Sequence, residues 1–149
     1  MSTRAAAAVV AVGVLPWLVV LSGDSVGFVL SVGLLNPATG HLTTLPAYLF
    51  ELTRGLPEPL LGWPVATLLW LAAVVSALVG RAVGREDRRL TGGLLVLAGL
   101  SLLPLAVAVG RPRGVSALPV GAVGLWAVAW WGYGDALRAV ARGGTARER

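Results

Sequence analysis

Long apolar runs alternate with short polar segments along most of this chain. Four runs are of roughly the length that a membrane-spanning helix requires, about 17–25 residues, and they occupy residues 5–22, 60–80, 90–110 and 117–134. No charged residue lies inside any of them. We therefore predict four spanning helices, in which Pro64 and Pro119 mark helix starts and Pro16 and Pro104 mark kinks.

The segment between the first two runs, residues 23–59, has a different pattern. Residues 26–35 are apolar but too few to span a bilayer, and the sequence Asn-Pro-Ala-Thr-Gly at residues 36–40 is typical of a turn. Thr43 or Thr44 can then cap a short helix. The apolar face of that helix would contain Leu45, Tyr48, Leu49, Leu52 and Leu56. We expect this amphipathic helix to lie on the membrane surface, and we name residues 23–59 the cap.

The predicted fold class is an all-α membrane protein. It is a single domain over residues 1–149, a four-transmembrane-helix bundle with a short amphipathic helix in the first outer loop and a basic C-terminal tail over residues 135–149. Composition agrees, since 56% of the residues are hydrophobic and 13% are charged, against about 45–50% and about 25% in soluble domains. The first run has an alternative interpretation, because Arg4, an apolar stretch and the small residue Ser22 also fit a cleaved signal peptide.

Arginine positions predict how the chain is oriented. All twelve basic residues are arginines. With a cytoplasmic N-terminus, nine lie on the inner side, and Arg54, Arg111 and Arg113 lie on the outer side. Because cytoplasmic loops collect arginine, we expect a multi-pass cell-membrane protein with both termini in the cytoplasm. The net charge of +5 then reflects orientation, and no basic stripe interleaved with aromatic residues indicates nucleic-acid binding.

Small residues recur every four positions in the second run, at Ala72, Ser76, Gly80 and Gly84. Residues at this spacing share one helix face, and small side chains let another backbone approach closely. We expect this helix-packing face to contact the first or third run of the same chain. A seam between two copies of the chain is the alternative.

Short motifs that suggest catalysis lack the partners that the chemistry needs. The sequence Gly-Tyr-Gly-Asp at residues 132–135 matches the G-x-G-D of intramembrane aspartyl proteases, which need two carboxylates sharing a proton. The candidate partner, Asp87, lies among arginines, so we interpret Asp135 as the point where a helix leaves the membrane. His41 is the single histidine and cysteine is absent, whereas metal sites use three or four converging ligands. We predict no catalytic residue, metal site or cofactor.

The cap and its flanks resemble a known family. The motifs are Leu34-x-Asn36, Tyr48-Leu49-Phe50, Thr53-Arg54-Gly55-Leu56-Pro57 and Trp63-Pro64. In this order they are similar to the pattern of a family of small, uncharacterised haloarchaeal integral membrane proteins. The resemblance covers roughly residues 16–64, and Val32-Gly33 stands where the family pattern has an aromatic residue before the glycine. It implies a membrane location and a haloarchaeal source, and it implies no activity.

The predicted function is that of a non-enzymatic membrane protein, an accessory or partner-binding component acting through the cap. The alternative is a small oligomeric channel or transporter whose pore forms between copies. Expected partners are the lipid bilayer and either another membrane protein or a second copy, but no nucleic acid. The candidate interaction surface consists of Asn36, His41, Tyr48, Phe50, Glu51, Arg54, Pro57 and Trp63.

Overall fold

A computed structural model describes residues 3–50 and 61–145 of the chain. In chain order its elements are α1 (Thr3–Ala11), β1 (Leu18–Ser22), β2 (Ser25–Val29), β3 (Gly33–Asn36), β4 (His41–Thr44), α2 (Leu45–Phe50), α3 (Gly62–Val83), α4 (Arg88–Val109), β5 (Val115–Leu118) and α5 (Val120–Thr145). The long helices α3, α4 and α5 form an antiparallel bundle. The five strands form one sheet at the end of the bundle where α3 and α5 begin and α4 ends.

Helix α4 is the centre of the bundle, with α3 on one side and α5 on the other. Leucine side chains fill these contacts, and Leu95, Leu102 and Leu125 are fully buried. Gly99 of α4 lies directly against the indole ring of Trp126 in α5, so the two helices approach closely at this level. The short helix α1 packs against both α3 and α5.

Local chemistry explains the tight connection between α3 and α4. Helix α3 ends at Gly84, whose φ of 72° lies in the left-handed region that glycine adopts at low cost. The N–H groups of Gly84 and Arg85 bond back to the carbonyls of Arg81 and Gly80, as in a Schellman motif. Asp87 then caps α4, since its carboxylate accepts from two backbone N–H groups of the first turn.

The sheet is antiparallel, with strand order β4-β3-β2-β1-β5. Ser22 pairs with Ser25, so β1 and β2 are joined by the two residues Gly23 and Asp24. Only Gly23 of these has a positive φ, 56°, which is the pattern of a type II′ turn and suits the twist of a hairpin. Strand β5 follows α4 and pairs with β1, which closes the sheet against the bundle.

The predicted turn at residues 36–40 is confirmed, and it joins β3 to β4. The side chain of Asn36 accepts from the N–H of Ala38 at 3.1 Å, a local bond that asparagine commonly makes in turns. Gly40 completes the turn with a φ of 64°. The predicted N-cap of the following helix is also confirmed, because the Thr44 hydroxyl accepts from the N–H of Ala47 at 3.4 Å. The proposed continuation of that helix to Leu56 lies outside the described residues.

The predicted all-α, four-helix fold is wrong, because the structure contains a five-stranded sheet. The first predicted span, residues 5–22, divides into α1, which ends at Ala11, and β1, which begins at Leu18. Pro16 lies between them and cannot donate a helical hydrogen bond. The residues that follow include Val19 and Val20, whose branched side chains favour strands.

The second and third predicted spans, residues 60–80 and 90–110, overlap α3 and α4. These two helices are long and apolar enough to cross a membrane. Pro64 lies in the first turn of α3 and Pro104 lies inside α4. The fourth predicted span, residues 117–134, differs at both ends. Ala117 and Leu118 belong to β5, and α5 continues through the predicted basic tail as far as Thr145.

Candidate functional site

Two tryptophans join the sheet to the helix bundle at the end of α1. Trp70 donates its indole N–H to the carbonyl of Val9 at 2.8 Å, and Trp17 donates to the carbonyl of Val12 at 3.1 Å. Carbonyls at a helix C-terminus have no partner within the helix, so the indoles satisfy them. The two rings meet edge to face with centroids 6.0 Å apart. Trp70 also occupies the space that any side chain at Gly13 would need.

The turn between β2 and β3 is hydrogen-bonded to the segment that follows α1 and to helix α3. Ser31 donates its hydroxyl to the carbonyl of Gly13 at 2.6 Å, and Thr67 of α3 donates to the carbonyl of Ser31 at 2.6 Å. Trp63 donates its indole N–H to the carbonyl of Leu30 at 2.9 Å. We name this set of contacts the junction. Sequence reasoning missed it, although buried polar side chains such as Ser31 and Thr67 require partners.

The structure separates the residues of the predicted interaction surface. Asn36 and His41 are exposed and pair across the β3–β4 hairpin beside its turn. Phe50 is 83% exposed at the end of α2, which follows the opposite end of β4. Trp63 is only 3% exposed and belongs to the junction, so it is not part of an exposed surface. Tyr48 lies in α2, whereas Glu51, Arg54 and Pro57 lie outside the described residues.

The predicted helix-packing face makes contacts within the chain along part of its length. The hydroxyl of Ser76 is hydrogen-bonded to that of Thr91 in α4 at 2.8 Å. Gly80 is buried against Glu86 in the turn between α3 and α4, and Gly84 is the C-cap of α3. Ala72, by contrast, is exposed.

An open groove of about 690 Å³ runs along this face between α3 and α4. The uncharged residues that line it are Ala72, Val75, Ser76, Val79, Gly80, Val83, Leu90 and Leu94. Arg85 and Asp87 line it where it reaches the turn between the two helices. We name this feature the α3–α4 groove.

Arginine is concentrated at the end of the bundle away from the sheet. The arginines described there are Arg4, Arg81, Arg85, Arg88, Arg89, Arg138 and Arg142. Arg88 brings two of these segments together, because it donates to the carbonyl of Gly132 in α5 at 2.6 Å. Ala5 of α1 lies against Gly132 as well, so the start of α1 is at the same level. The sheet end carries Arg111 and Arg113 in the described part of the chain.

A protein family described as a domain of unknown function, DUF8050, matches residues 1–142. The chain belongs to the DUF8050 family. The matched range includes the sheet, the junction and the α3–α4 groove, so all three lie within the DUF8050 domain. No curated protein and no solved structure matches the chain.

The G-x-G-D sequence of this DUF8050 domain does not form a carboxylate dyad. Asp135 is 89% exposed and forms an ion pair with Arg138 at 3.5 Å. Asp87, the suggested partner, accepts from the N–H groups at the start of α4. The motif's Tyr133 is fully buried beneath Arg88, whose guanidinium carbon lies 5.9 Å from the ring centroid. Among residues 3–50 and 61–145, no group of three or more acidic or histidine side chains could hold a metal.

Proposed function

We propose that this chain is a non-enzymatic integral membrane protein. Its helices α3, α4 and α5 would lie in the bilayer, and its sheet would form a binding head on the outer side. The resemblance of residues 16–64 to small membrane proteins supports this proposal. The observation that carries it is the outer surface of the two apolar helices α3 and α4.

Large apolar side chains cover the outward faces of α3 and α4. Examples are Leu68, Val75 and Val83 on α3 and Leu97 and Val107 on α4, which are between 52% and 67% exposed. Only 28% of the most apolar part of α3 and 39% of that of α4 are buried. A core helix of a water-soluble protein is buried along its apolar stripe, whereas a helix apolar on all sides needs lipid or protein around it. This surface supports insertion of both helices.

The asymmetric distribution of arginine supports one orientation. Basic residues cluster at the end of the bundle that contains the α3–α4 turn and the C-terminal part of α5. By the tendency of arginine to stay in the cytoplasm, that end would be cytoplasmic. The sheet would then face the outside of the cell.

Strand β4 is the best candidate for the binding surface of the head. In the described part of the chain it pairs only with β3, so its outer edge presents unpaired backbone groups. Leu42 of this strand is 52% exposed and His41 is exposed beside it. Unprotected edges accept a strand from another protein. We infer that a membrane or surface protein adds a strand here.

The interior of the bundle favours this binding role over a pore through a single chain. Ser31 and Thr67 are buried at the sheet end, and Thr91 is buried near the arginine end. Between these two levels the core contains fully buried Ala98 and Leu95. A polar path through these described residues would have to cross apolar packing, which ion pathways avoid.

Alkaline carbonate extraction tests the membrane assignment. Membranes from cells that produce the tagged chain are washed at high pH, and the pellet and supernatant are compared with a peripheral and an integral marker protein. We expect the chain to remain with the integral marker. Release together with the peripheral marker would refute the proposal.

Site-specific photocrosslinking tests the binding surface. A photoreactive residue at Leu42 should give a discrete protein adduct, whereas one at Val123, which is 64% exposed on α5, should give lipid adducts. Protein adducts at Val123 and none at Leu42 would contradict the assignment of β4.

A further inference from the structure

The α3–α4 groove combines an apolar wall with a polar end at the arginine-rich turn between the two helices. Its volume of about 690 Å³ lies within the range of about 300–1,000 Å³ that is usual for ligand sites. The stretch of α3 from Ala72 to Val83 lines it, and at 1.5 Å per residue this is a length of roughly 16 Å. The shape is therefore an elongated channel along the helix surface, open on one side.

Small side chains on α3 are the reason that the groove exists. Ala72 and Ser76 leave a depression that the neighbouring valines border, and Val75 and Val79 are 59% and 55% exposed. On the α4 side, Leu90 is 52% exposed. The described helices leave Ala72, Val75, Val79 and Leu90 exposed, whereas Ser76 and Leu94 are half-buried at the floor of the groove.

The polar end of the groove is lined by Arg85 and Asp87, and it lies at a turn whose four arginines, within residues 81–89, outnumber two carboxylates. Within the described part of the chain, the guanidinium of Arg85 makes no hydrogen bond or ion pair. The neighbouring carboxylate of Asp87 is engaged, because one of its oxygens accepts from the N–H groups of Arg89 and Leu90, both at 3.1 Å. Arg81 also lies at this end of α3.

We propose that the α3–α4 groove binds an anionic phospholipid. An acyl chain lies along the aliphatic wall, and the phosphate group pairs with Arg85. The inference rests on the proposed function, because it requires α3 and α4 to be in the bilayer. Arginine is well suited to phosphate, since its planar guanidinium can donate two parallel hydrogen bonds.

Charge decides between a lipid and a second copy of the chain as the occupant. All copies insert in one orientation, because the same arginines orient each of them. Two copies that met through this face would bring together two α3–α4 turns of net positive charge, since four arginines of residues 81–89 outnumber Glu86 and Asp87. Like charges at one level repel, whereas a lipid phosphate neutralises the arginine.

Native mass spectrometry of the detergent-purified, delipidated full chain tests this inference. Phosphatidylglycerol and phosphatidylcholine are added in separate titrations. We expect the chain to bind phosphatidylglycerol more tightly than phosphatidylcholine. Arg85→Gln should weaken the binding of phosphatidylglycerol about fivefold, which corresponds to the loss of about 1 kcal/mol per arginine near an anionic surface. The control Arg111→Gln, at the sheet end, should leave it unchanged.

A second pair of variants tests the apolar wall. Ala72→Leu fills the groove and should reduce phosphatidylglycerol binding. Ala82→Leu makes the same change at an exposed position of α3 outside the groove and should not. Equal binding of both lipids, or wild-type binding by both Arg85→Gln and Ala72→Leu, would overturn the inference.

Other outcomes separate the alternatives. If the wild-type chain is dimeric and Ala72→Leu is monomeric, with lipid binding unchanged, a second copy covers the groove. That result would also overturn the inference of a lipid site. Carbonate-resistant insertion without selective lipid binding would refute this inference alone. Release of the chain by carbonate would refute the proposed function, on which this inference rests.

Discussion

Two glycines of α4 should respond to the same substitution with opposite signs. At Gly99 an added Cβ would lie 2.8 Å from Cδ1 of Trp126, with other indole atoms as close. Trp126 would have to move, and its N–H would leave the carbonyl of Val96, to which it donates at 3.2 Å. Overpacking of this kind costs about 1–3 kcal/mol, which exceeds the gain of about 0.5–1 kcal/mol from replacing a helical glycine with alanine.

Gly93 provides the matched control. Apart from its chain neighbours and the backbone of its own helix, no atom of the described chain lies within 4 Å of a Cβ built at this position. Gly93→Ala should therefore keep only the favourable backbone effect of about 0.5–1 kcal/mol. Thermal unfolding of the purified protein in detergent, followed by tryptophan fluorescence, measures both variants. At about 2–4 °C per kcal/mol for a chain of this size, Gly99→Ala should lower the Tm and Gly93→Ala should raise it. A Tm for Gly99→Ala at or above that of Gly93→Ala would refute the close packing of α4 against Trp126.

Three further predictions concern the junction, the α3–α4 turn and the orientation. Thr67→Val keeps the shape of the side chain but leaves the buried carbonyl of Ser31 without its hydroxyl donor, so it should lower the free energy of unfolding by about 1–3 kcal/mol. The hydroxyl of Ser101 bonds to its own helix, so Ser101→Ala should leave the Tm nearly unchanged. Equal effects of the two variants would contradict the junction. Asp87→Ala should lower the free energy of unfolding by about 0.5–2 kcal/mol through loss of the N-cap of α4, and Asp87→Asn should retain most of the wild-type stability. If Asp87→Asn is as unstable as Asp87→Ala in the same assay, capping is not the role of Asp87. In intact cells a membrane-impermeant thiol reagent should label Thr39→Cys and not Ala146→Cys, and the reverse result would exclude a cytoplasmic C-terminus.

Several features of the fold could be predicted because they depend on neighbouring residues. The long uncharged runs that became α3 and α4 have a length and composition that few other structures permit. The turn at residues 36–40 and the helix N-cap at Thr44 depend on side chains that bond to backbone groups two or three residues away. The arginine end of the bundle could also be anticipated, since the charges border the apolar runs.

The candidate sites were less predictable for a physical reason. The small residues Ala72 and Ser76 indicated a face, but whether a helix covers that face depends on where α4 and α1 pack. The sequence placed Trp63 in the candidate interaction surface, yet its indole N–H donates to the carbonyl of Leu30, in a turn of the sheet. No local pattern contains that partner.

Sequence alone therefore determined the apolar composition, helices α3 and α4 and the turn chemistry, because each depends on residues a few positions apart. Tertiary structure decided that residues 18–22 form a strand. That apolar stretch suits a helix or a strand by local pattern, and its strand hydrogen bonds come from β2 and from β5, where Val20 pairs with Ala117. A strand is stable only when another segment supplies its backbone partners. For β1, one of those segments is β5, which follows α3 and α4 in the sequence.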